Sequence, residues 1–455
     1  MKKPWIRNIL IGAAVLVALN IVYLAFMTAC YSVPVTERTK VHLEETMEIL
    51  APETKESPVF RNVKALSTGL FTDMLWIDTA IMHEESAFEM AVTLPHKEVQ
   101  VGEMWFPDEG FQGLMIPVMY YYDDPGVITV RYQRYWMLFT GLIRVLFQFF
   151  AWNEIRYLFY SIAAALLLYD GCMIMKRCGW RALIPFGVAV MMRNLLFHVI
   201  SFTTCTDTIM TFAAIAFLVT FYEKTWYRKY RWLFYLIVGS LTFAIGTMEA
   251  PLLVLGMTML TELLFMRGYQ TEDDLRMDKA QMKKVFFEVF FLSFLWCVGY
   301  ASAAVGKGMI VNMTFGGTGA GEEAFLHYLS SNGRGPFVRF YRIFYCLDML
   351  FTPVQIKGPM MVFLLIVILV LMKKRGIKKF PYMWQILMVA LYPVAWAMIV
   401  VEHSIHNYAS NIFSVFVYGI LAVLCGLVRE ETGDVKMLTD TTSHGGLSGD
   451  GEGEE

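Results

Sequence analysis

The chain has 455 residues, a net charge of −2 and a charged fraction of 17%, against about 25% in soluble proteins. Apolar and aromatic residues make up 57% of it, and the mean hydropathy is +0.50. This composition excludes an ordinary soluble enzyme, and the small net charge gives no sign of a nucleic-acid partner. The seven cysteines show no CxxC or CxH spacing and predict neither a zinc site nor a disulfide framework. The sequence therefore predicts an all-α polytopic membrane protein.

Residues 1–30 begin with Lys2, Lys3 and Arg7 and continue as an apolar run. The run is long enough to cross a bilayer and longer than the core of a cleaved signal peptide. We interpret it as the first transmembrane helix, with the N-terminus in the cytoplasm. Cleavage at Cys30, as in a lipoprotein, is the alternative, and the length of the run argues against it.

Residues 31–155 are predicted to form a large external loop that carries amphipathic interfacial helices. Prolines break its polar part into pieces, of which 41–50 and 66–92 look helical, whereas 101–130 reads as aromatic-rich loop or short strand. Residues 131–152 are apolar but contain arginines. If they crossed the membrane, every later Lys/Arg-rich link would lie on the wrong side, so they are predicted to be an interfacial helix.

The links rich in Lys and Arg are predicted to lie on the cytoplasmic side of the plasma membrane. This orientation is consistent with about ten spans and with both termini in the cytoplasm. The spans after the first are 156–175, 182–203, 208–222, 232–247, 251–266, 285–305, 360–372, 381–401 and 409–428. Transmembrane helices 2–7 thus occupy 156–305 and helices 8–10 occupy 360–428. Between them, 306–359 is a second external segment, and 429–455 is predicted to be a disordered acidic cytoplasmic tail.

The stretch around Asp73 carries the most chemistry. Apolar residues recur at a helical period, and Asp73 falls on the opposite side, where Ala80 and Glu84 share its stripe. An amphipathic helix of this kind can lie on a membrane surface and turn a carboxylate towards a cavity between spans. The alternative is a solvated or capping aspartate. Asp78 is rotated off this face.

A carboxylate near several arginines suits chemistry on a lipid phosphate, because arginine can grip the phosphate and the carboxylate can accept a proton. Asp73 is the predicted catalytic residue. The predicted ligands of the donor phosphate are Arg131, Arg134, Arg144, Arg156, His403 and His406. The predicted supporting residues are Asp78, Glu84, Glu249 and Glu402. For each arginine, snorkelling to headgroups or pairing with the acidic loop is the alternative. No particular cofactor is predicted; a divalent metal on the two histidines is an alternative to capping or interfacial packing.

The layout resembles the GT-C superfamily of membrane glycosyltransferases, which includes protein O-mannosyltransferases and lipid A aminoarabinose transferases, and is closest to uncharacterised bacterial multi-span relatives. The resemblance rests on FTD at 71–73, RYW at 134–136, Arg144, Ile155-Arg156 and HSIH at 403–406. It implies a first span, an external loop with an acidic catalytic residue, interfacial helices and many further spans. It also implies two kinds of partner, a polyprenyl-phosphate-linked sugar donor and the surrounding membrane lipids.

The chain departs from the pattern of these relatives. Met137 and Leu138 stand where the relatives carry His and Gly, and Val145 replaces a proline. The two histidines of HSIH are one residue closer together than in the relatives. Glycosyl transfer is the function that the resemblance implies, and two alternatives remain. One is a transporter or flippase of a lipid-linked precursor, although no internal repeat is visible. The other is a non-catalytic envelope assembly protein.

Overall fold

The computed structural model describes residues 4–55, 70–99, 127–192, 202–246, 250–268, 279–316, 336–351, 357–377, 382–399 and 411–428. This part is mostly helical, as the predicted class requires, and adds one two-stranded sheet. In chain order the elements are α1 (Pro4–Tyr31), α2 (Glu37–Lys55), α3 (Leu70–Ile81), α4 (Ala87–Thr93), β1 (Pro95–Val99), β2 (Val127–Arg131), α5 (Leu138–Leu146), α6 (Trp152–Cys178), α7 (Trp180–Met192), α8 (Phe202–Phe221), α9 (Thr225–Ile245), α10 (Pro251–Gly268), α11 (Lys279–Phe315), α12 (Pro336–Phe351), α13 (Lys357–Arg375), α14 (Met383–Ala390), α15 (Tyr392–Ile399) and α16 (Ser414–Leu427).

Four described helical stretches are long and apolar enough to cross a membrane. They are Trp5–Tyr31, Trp152–Cys178, Thr204–Phe221 and Ala280–Phe315. Shorter apolar helical stretches, one of them made of α14 and α15 together, accompany them at Trp180–Met192, Pro251–Met266, Met383–Ile399 and Asn411–Leu427. Large apolar side chains on α1, α6 and α11 remain exposed, as expected of surfaces that face lipid. By length and composition, these helices are typical of a helical membrane protein.

Helices α6–α11, α14 and α16 form the main bundle, which has a continuous apolar core. Small residues let its helices approach closely, as is common in membranes. A Cβ atom on Gly239 of α9 would lie 2.0 Å from the carbonyl oxygen of Trp296 on α11, and Gly299 meets the carbonyl of Leu236 in the same way. Alanine at either position would force these two helices apart.

A second group, the N-terminal cluster, contains α1, α3, α4, α5 and the β1–β2 sheet, and has its own apolar core. The two strands pair antiparallel, with Pro95 opposite Arg131 and Val99 opposite Val127. Helix α3 packs against α5, β1 and α8, so every residue from Asp73 to Met82 is buried. The prediction of an amphipathic surface helix is therefore wrong here, because protein covers the polar side of α3 as well as the apolar side.

The predicted helix 66–92 is two helices in the described part. α3 ends at Ile81, and α4 begins after Ser86, whose side chain forms a capping box with Glu89. Hydrogen bonds from Ser86 lower the pKa of Glu89. Since the first helix has ended, Glu84 does not continue the Asp73 stripe, and that prediction is also wrong.

Three other predicted elements differ in extent. The predicted interfacial helix 131–152 is reduced to α5, since β2 ends at Arg131 and α6 already begins at Trp152. α11 continues to Phe315 and α12 follows, so helices occupy part of the predicted external segment 306–359. The predicted span 381–401 contains α14 and α15 rather than one helix. Pro393 cannot donate the backbone hydrogen bond that would join them.

Candidate active site

Asp73 lies in the first turn of α3 and is fully buried. Its Oδ2 atom accepts a hydrogen bond of 2.7 Å from the backbone N–H of Phe202, the first residue of α8. The N-terminus of a helix carries partial positive charge and backbone N–H groups that lack partners within the helix. Asp73 therefore caps α8 from another helix, and this contact stabilises negative charge on the carboxylate.

Arg156 supplies a second positive group. Its Nη2 atom lies 3.9 Å from Oδ2 of Asp73, and its guanidinium lies over the ring of Trp152, 5.6 Å from the centroid. Only 3% of Arg156 is exposed, so the pair is shielded from water and salt. Helices α3, α6 and α8 meet at this point, which we call the Asp73 site: Asp73, Arg156 and the N-terminal end of α8.

Aromatic side chains pack around Phe202, whose backbone binds Asp73. The Phe202 ring lies 4.7 Å from that of Phe159 and 5.1 Å from that of Trp152, and Trp76 and Phe139 contact it from α3 and α5. An apolar enclosure strengthens the attraction between carboxylate and guanidinium. The site can hold a carboxylate in its charged form and present positive charge beside it.

Arg144 occupies a different position from the one the phosphate prediction requires. Its Nε atom donates to the carbonyl of Val33 at 2.7 Å, and Nη1 donates to the carbonyls of Ala80 and Met82. It also lies over the Tyr31 ring. Burial lowers the pKa of Arg144, although an arginine remains charged. These bonds join the ends of α1 and α3, so the geometry favours a structural role over phosphate binding.

The other described arginines and acids of the predicted site lie in the β1–β2 sheet or near it in the chain or the fold. Arg131 forms a 2.6 Å ion pair with Glu85, and Glu84 pairs with Lys97 at 2.8 Å. Asp78 accepts the backbone N–H of Lys97 at 3.0 Å, which fixes α3 against β1. Arg134 lies over the ring of Tyr132. Of the four predicted arginines, Arg156 is therefore the one for which a contact with Asp73 is observed.

Four predicted residues lie outside the described part of the chain. They are Glu249, Glu402, His403 and His406. Within the described residues, no group of three or more His, Cys, Asp or Glu side chains is arranged to hold a metal ion. The alternative of a divalent metal therefore has no support in that part of the protein.

Among the buried charged residues that the sequence did not single out, two lie deep within long apolar helices. Asp170 on α6 and Lys307 on α11 are both fully buried. Lys307 donates to the carbonyl of Ala91 at 3.1 Å and lies 4.7 Å from the centroid of the Trp136 ring. Each residue interrupts an apolar stretch of sequence, and this was the signal that could have found them.

The chain was compared with known proteins. No protein family, no curated protein and no solved structure matches it.

Proposed function

We propose that the chain is a GT-C-like membrane glycosyltransferase, which moves a sugar from a polyprenyl-phosphate-linked donor to an acceptor. In this proposal it has ten spans in the plasma membrane, both termini are cytoplasmic, and the first external loop carries Asp73. The proposal joins the sequence resemblance to one structural observation, the buried pair of Asp73 and Arg156 at the start of α8.

The Asp73 site supplies the two charges that such a transfer needs. Asp73 would accept the proton of the acceptor hydroxyl as general base while that oxygen attacks the sugar. Arg156 and the N-terminal end of α8 would stabilise the phosphate of the departing carrier, since both favour anions. Arg156 takes the phosphate role in place of Arg144, whose donors bind backbone carbonyls.

The burial of Asp73 sets a condition on this mechanism. A hydroxyl must come within hydrogen-bond distance of the carboxylate before its proton can be transferred. The aromatic rings around Phe202 close the site in the described structure. The proposed reaction therefore includes a movement of these rings that admits donor and acceptor, as loop and lid openings do in other enzymes.

The decisive experiment is a transfer assay with purified full-length protein and a polyprenyl-phosphate-linked sugar. Replacing Asp73 by Asn keeps the size and part of the hydrogen bonding but removes the base. We expect transfer to fall by about 10²-fold or more. Release of sugar is measured at saturating donor, and circular dichroism checks that the variant is folded.

Asp78→Asn is the matched control, because Asp78 is on the same helix and equally buried, but binds the backbone of β1. It should retain most of the activity. Wild-type transfer by the Asp73→Asn protein would contradict the mechanism, and equal losses in both variants would show that α3 is only structural.

One observation favours transport as a second candidate function. Asp170 is a buried carboxylate well inside a helix that is able to cross a membrane. Transporters of lipid-linked or other substrates place ionisable groups near the middle of the bilayer. Uptake or flipping activity that persists when Asp73 is replaced would favour this candidate.

A further inference from the structure

Asp170 lies on the buried face of α6. The buried residues of this helix recur at helical spacing from Trp152 through Arg156 and Ala163 to Asp170 and Ile174. With a rise of about 1.5 Å per residue, Asp170 is about 21 Å from Arg156 along the axis and about 12 Å from the Cys178 end. It therefore lies within the thickness of the hydrocarbon core if α6 spans the membrane.

The carboxylate of Asp170 has no compensating contact. Neither Oδ1 nor Oδ2 has a hydrogen-bond partner, and no ion pair involves them in the described part of the chain. Other buried acids differ in this respect. Glu262 on α10, for instance, accepts a hydrogen bond of 2.6 Å from Tyr235 and lies 3.3 Å from Arg231.

Helix packing brings hydroxyl groups to the depth of Asp170. Next to it, Gly171 faces Leu183 of α7, and one turn further along α7 the Phe186 ring contacts that of Tyr418 on α16. No hydrogen bond joins the carboxyl group of Asp170 to the hydroxyl of Tyr418, but a charge on Asp170 would act on that hydroxyl through space. Tyr418 in turn lies 3.2 Å from Oγ1 of Thr261 on α10.

The direction of these hydrogen bonds leaves the phenolic oxygen of Tyr418 able to accept a further one. Thr261 donates its hydroxyl proton to the carbonyl of Met257 at 2.8 Å, so in its bond with Tyr418 the tyrosine is the donor. The phenolic oxygen of Tyr418 then has a lone pair for a further donor or for a cation.

Among the side chains that the structure describes on the neighbouring helices, none forms an ion pair with Asp170. The described ionisable side chains on these helices are Arg181 on α7, Cys205 and Asp207 on α8, Glu262 on α10, and Tyr418 and Cys425 on α16. α2 meets the chain at the other end of α6, where His42 binds the carbonyl of Phe147.

An ionised carboxylate in an apolar interior must be neutralised, because its desolvation is costly. We propose that Asp170, together with the hydroxyl oxygen of Tyr418, forms a site for a monovalent cation in the main bundle, occupied by a proton or by a sodium ion. One negative charge suits one monovalent ion, and both carboxylate and hydroxyl oxygens are ligands of hard cations. This site is independent of the proposed glycosyl transfer, since it lies at the other end of α6.

The experiment uses the full-length protein in lipid nanodiscs and has one arm for each cation. If a proton occupies the site, infrared spectra show a protonated carboxyl band that shifts in heavy water and is lost in Asp170→Asn. If sodium occupies it, replacing choline chloride by sodium chloride raises the melting temperature of the wild-type protein. That rise is lost in Asp170→Asn.

Glu262→Gln is the matched control, as it removes a buried carboxylate that has partners, and it should respond as the wild type does. Tyr418→Phe should shift the infrared band or weaken the sodium response, which keeps the test valid if Asp170→Asn does not fold. A wild-type protein with neither signal would overturn the proposal. So would a signal that persists in Asp170→Asn, or one that Tyr418→Phe leaves unchanged.

Discussion

Asp73 and Asp170 are both fully buried, and Arg156, which faces Asp73, shares the buried face of α6 with Asp170. The surroundings of the two carboxylates are nevertheless opposite. Asp73 accepts the Phe202 N–H and faces Arg156, whereas neither oxygen of Asp170 has a hydrogen-bond partner. Burial alone therefore says little about a carboxylate. The groups within hydrogen-bond distance decide whether the fold already compensates its charge or a ligand must do so.

This difference separates stability from binding. At the Asp73 site, removing a partner leaves a charge behind in a low-dielectric enclosure, and the free energy of unfolding should fall. At Asp170, replacing the carboxylate by a neutral group removes a desolvation cost and breaks no hydrogen bond. The two regions should therefore respond in opposite ways to substitution.

The largest effect is expected for Arg156→Ala. The substitution leaves the carboxylate of Asp73 buried with the Phe202 N–H but without its cation. Breaking a buried ion pair from one side typically costs about 3–5 kcal/mol, so the free energy of unfolding should fall by that amount. Reversible unfolding in mixed micelles measures it.

The double variant Arg156→Ala, Asp73→Asn is the control for this prediction. It removes both charges and should recover most of the lost stability, since no unpaired charge remains. A double variant as unstable as Arg156→Ala would show that packing on Trp152, rather than charge, is what Arg156 supplies.

A smaller loss is expected for Arg144→Ala, which leaves the carbonyls of Val33, Ala80 and Met82 without their charged donor. Such bonds contribute about 1.5–3 kcal/mol each but do not add fully, so we expect a loss of about 3 kcal/mol. Arg134→Ala is the matched control, because the observed contact of Arg134 is with the Tyr132 ring, and it should cost under about 1 kcal/mol. Equal losses would contradict the structural role of Arg144.

Whether a feature of this protein can be predicted from its sequence depends on how far apart in the chain the interacting residues lie. Apolar runs were sufficient to predict the helices that form α1, α6, α9 and α10, because hydrophobicity and helical period are local properties. The capping box at Ser86 was also visible in the sequence, but it was overlooked. Recognising it would have separated α3 from α4.

The candidate site shows the opposite case. The choice of Asp73 came from its position on a polar stripe, but its acceptor role depends on Phe202, which is far away in the chain. Likewise, nothing local indicates that Arg144 binds carbonyls near residues 33 and 80 while Arg156 reaches Asp73. Such contacts depend on how helices pack, which the pattern of a single segment does not contain.

The smallest effect is expected for Asp170→Asn, and it is the one that tests the comparison most directly. The amide has the shape of a protonated carboxyl group and breaks no observed hydrogen bond. In choline chloride, without sodium, the free energy of unfolding should therefore remain within about 0.5 kcal/mol of the wild type or rise. Under the same conditions, Asp73→Asn should lose stability, because the amide is a weaker acceptor for the Phe202 N–H and loses the attraction of Arg156. A loss at Asp170 as large as at Asp73 would mean that Asp170 has structural partners, and the two carboxylates would then be alike.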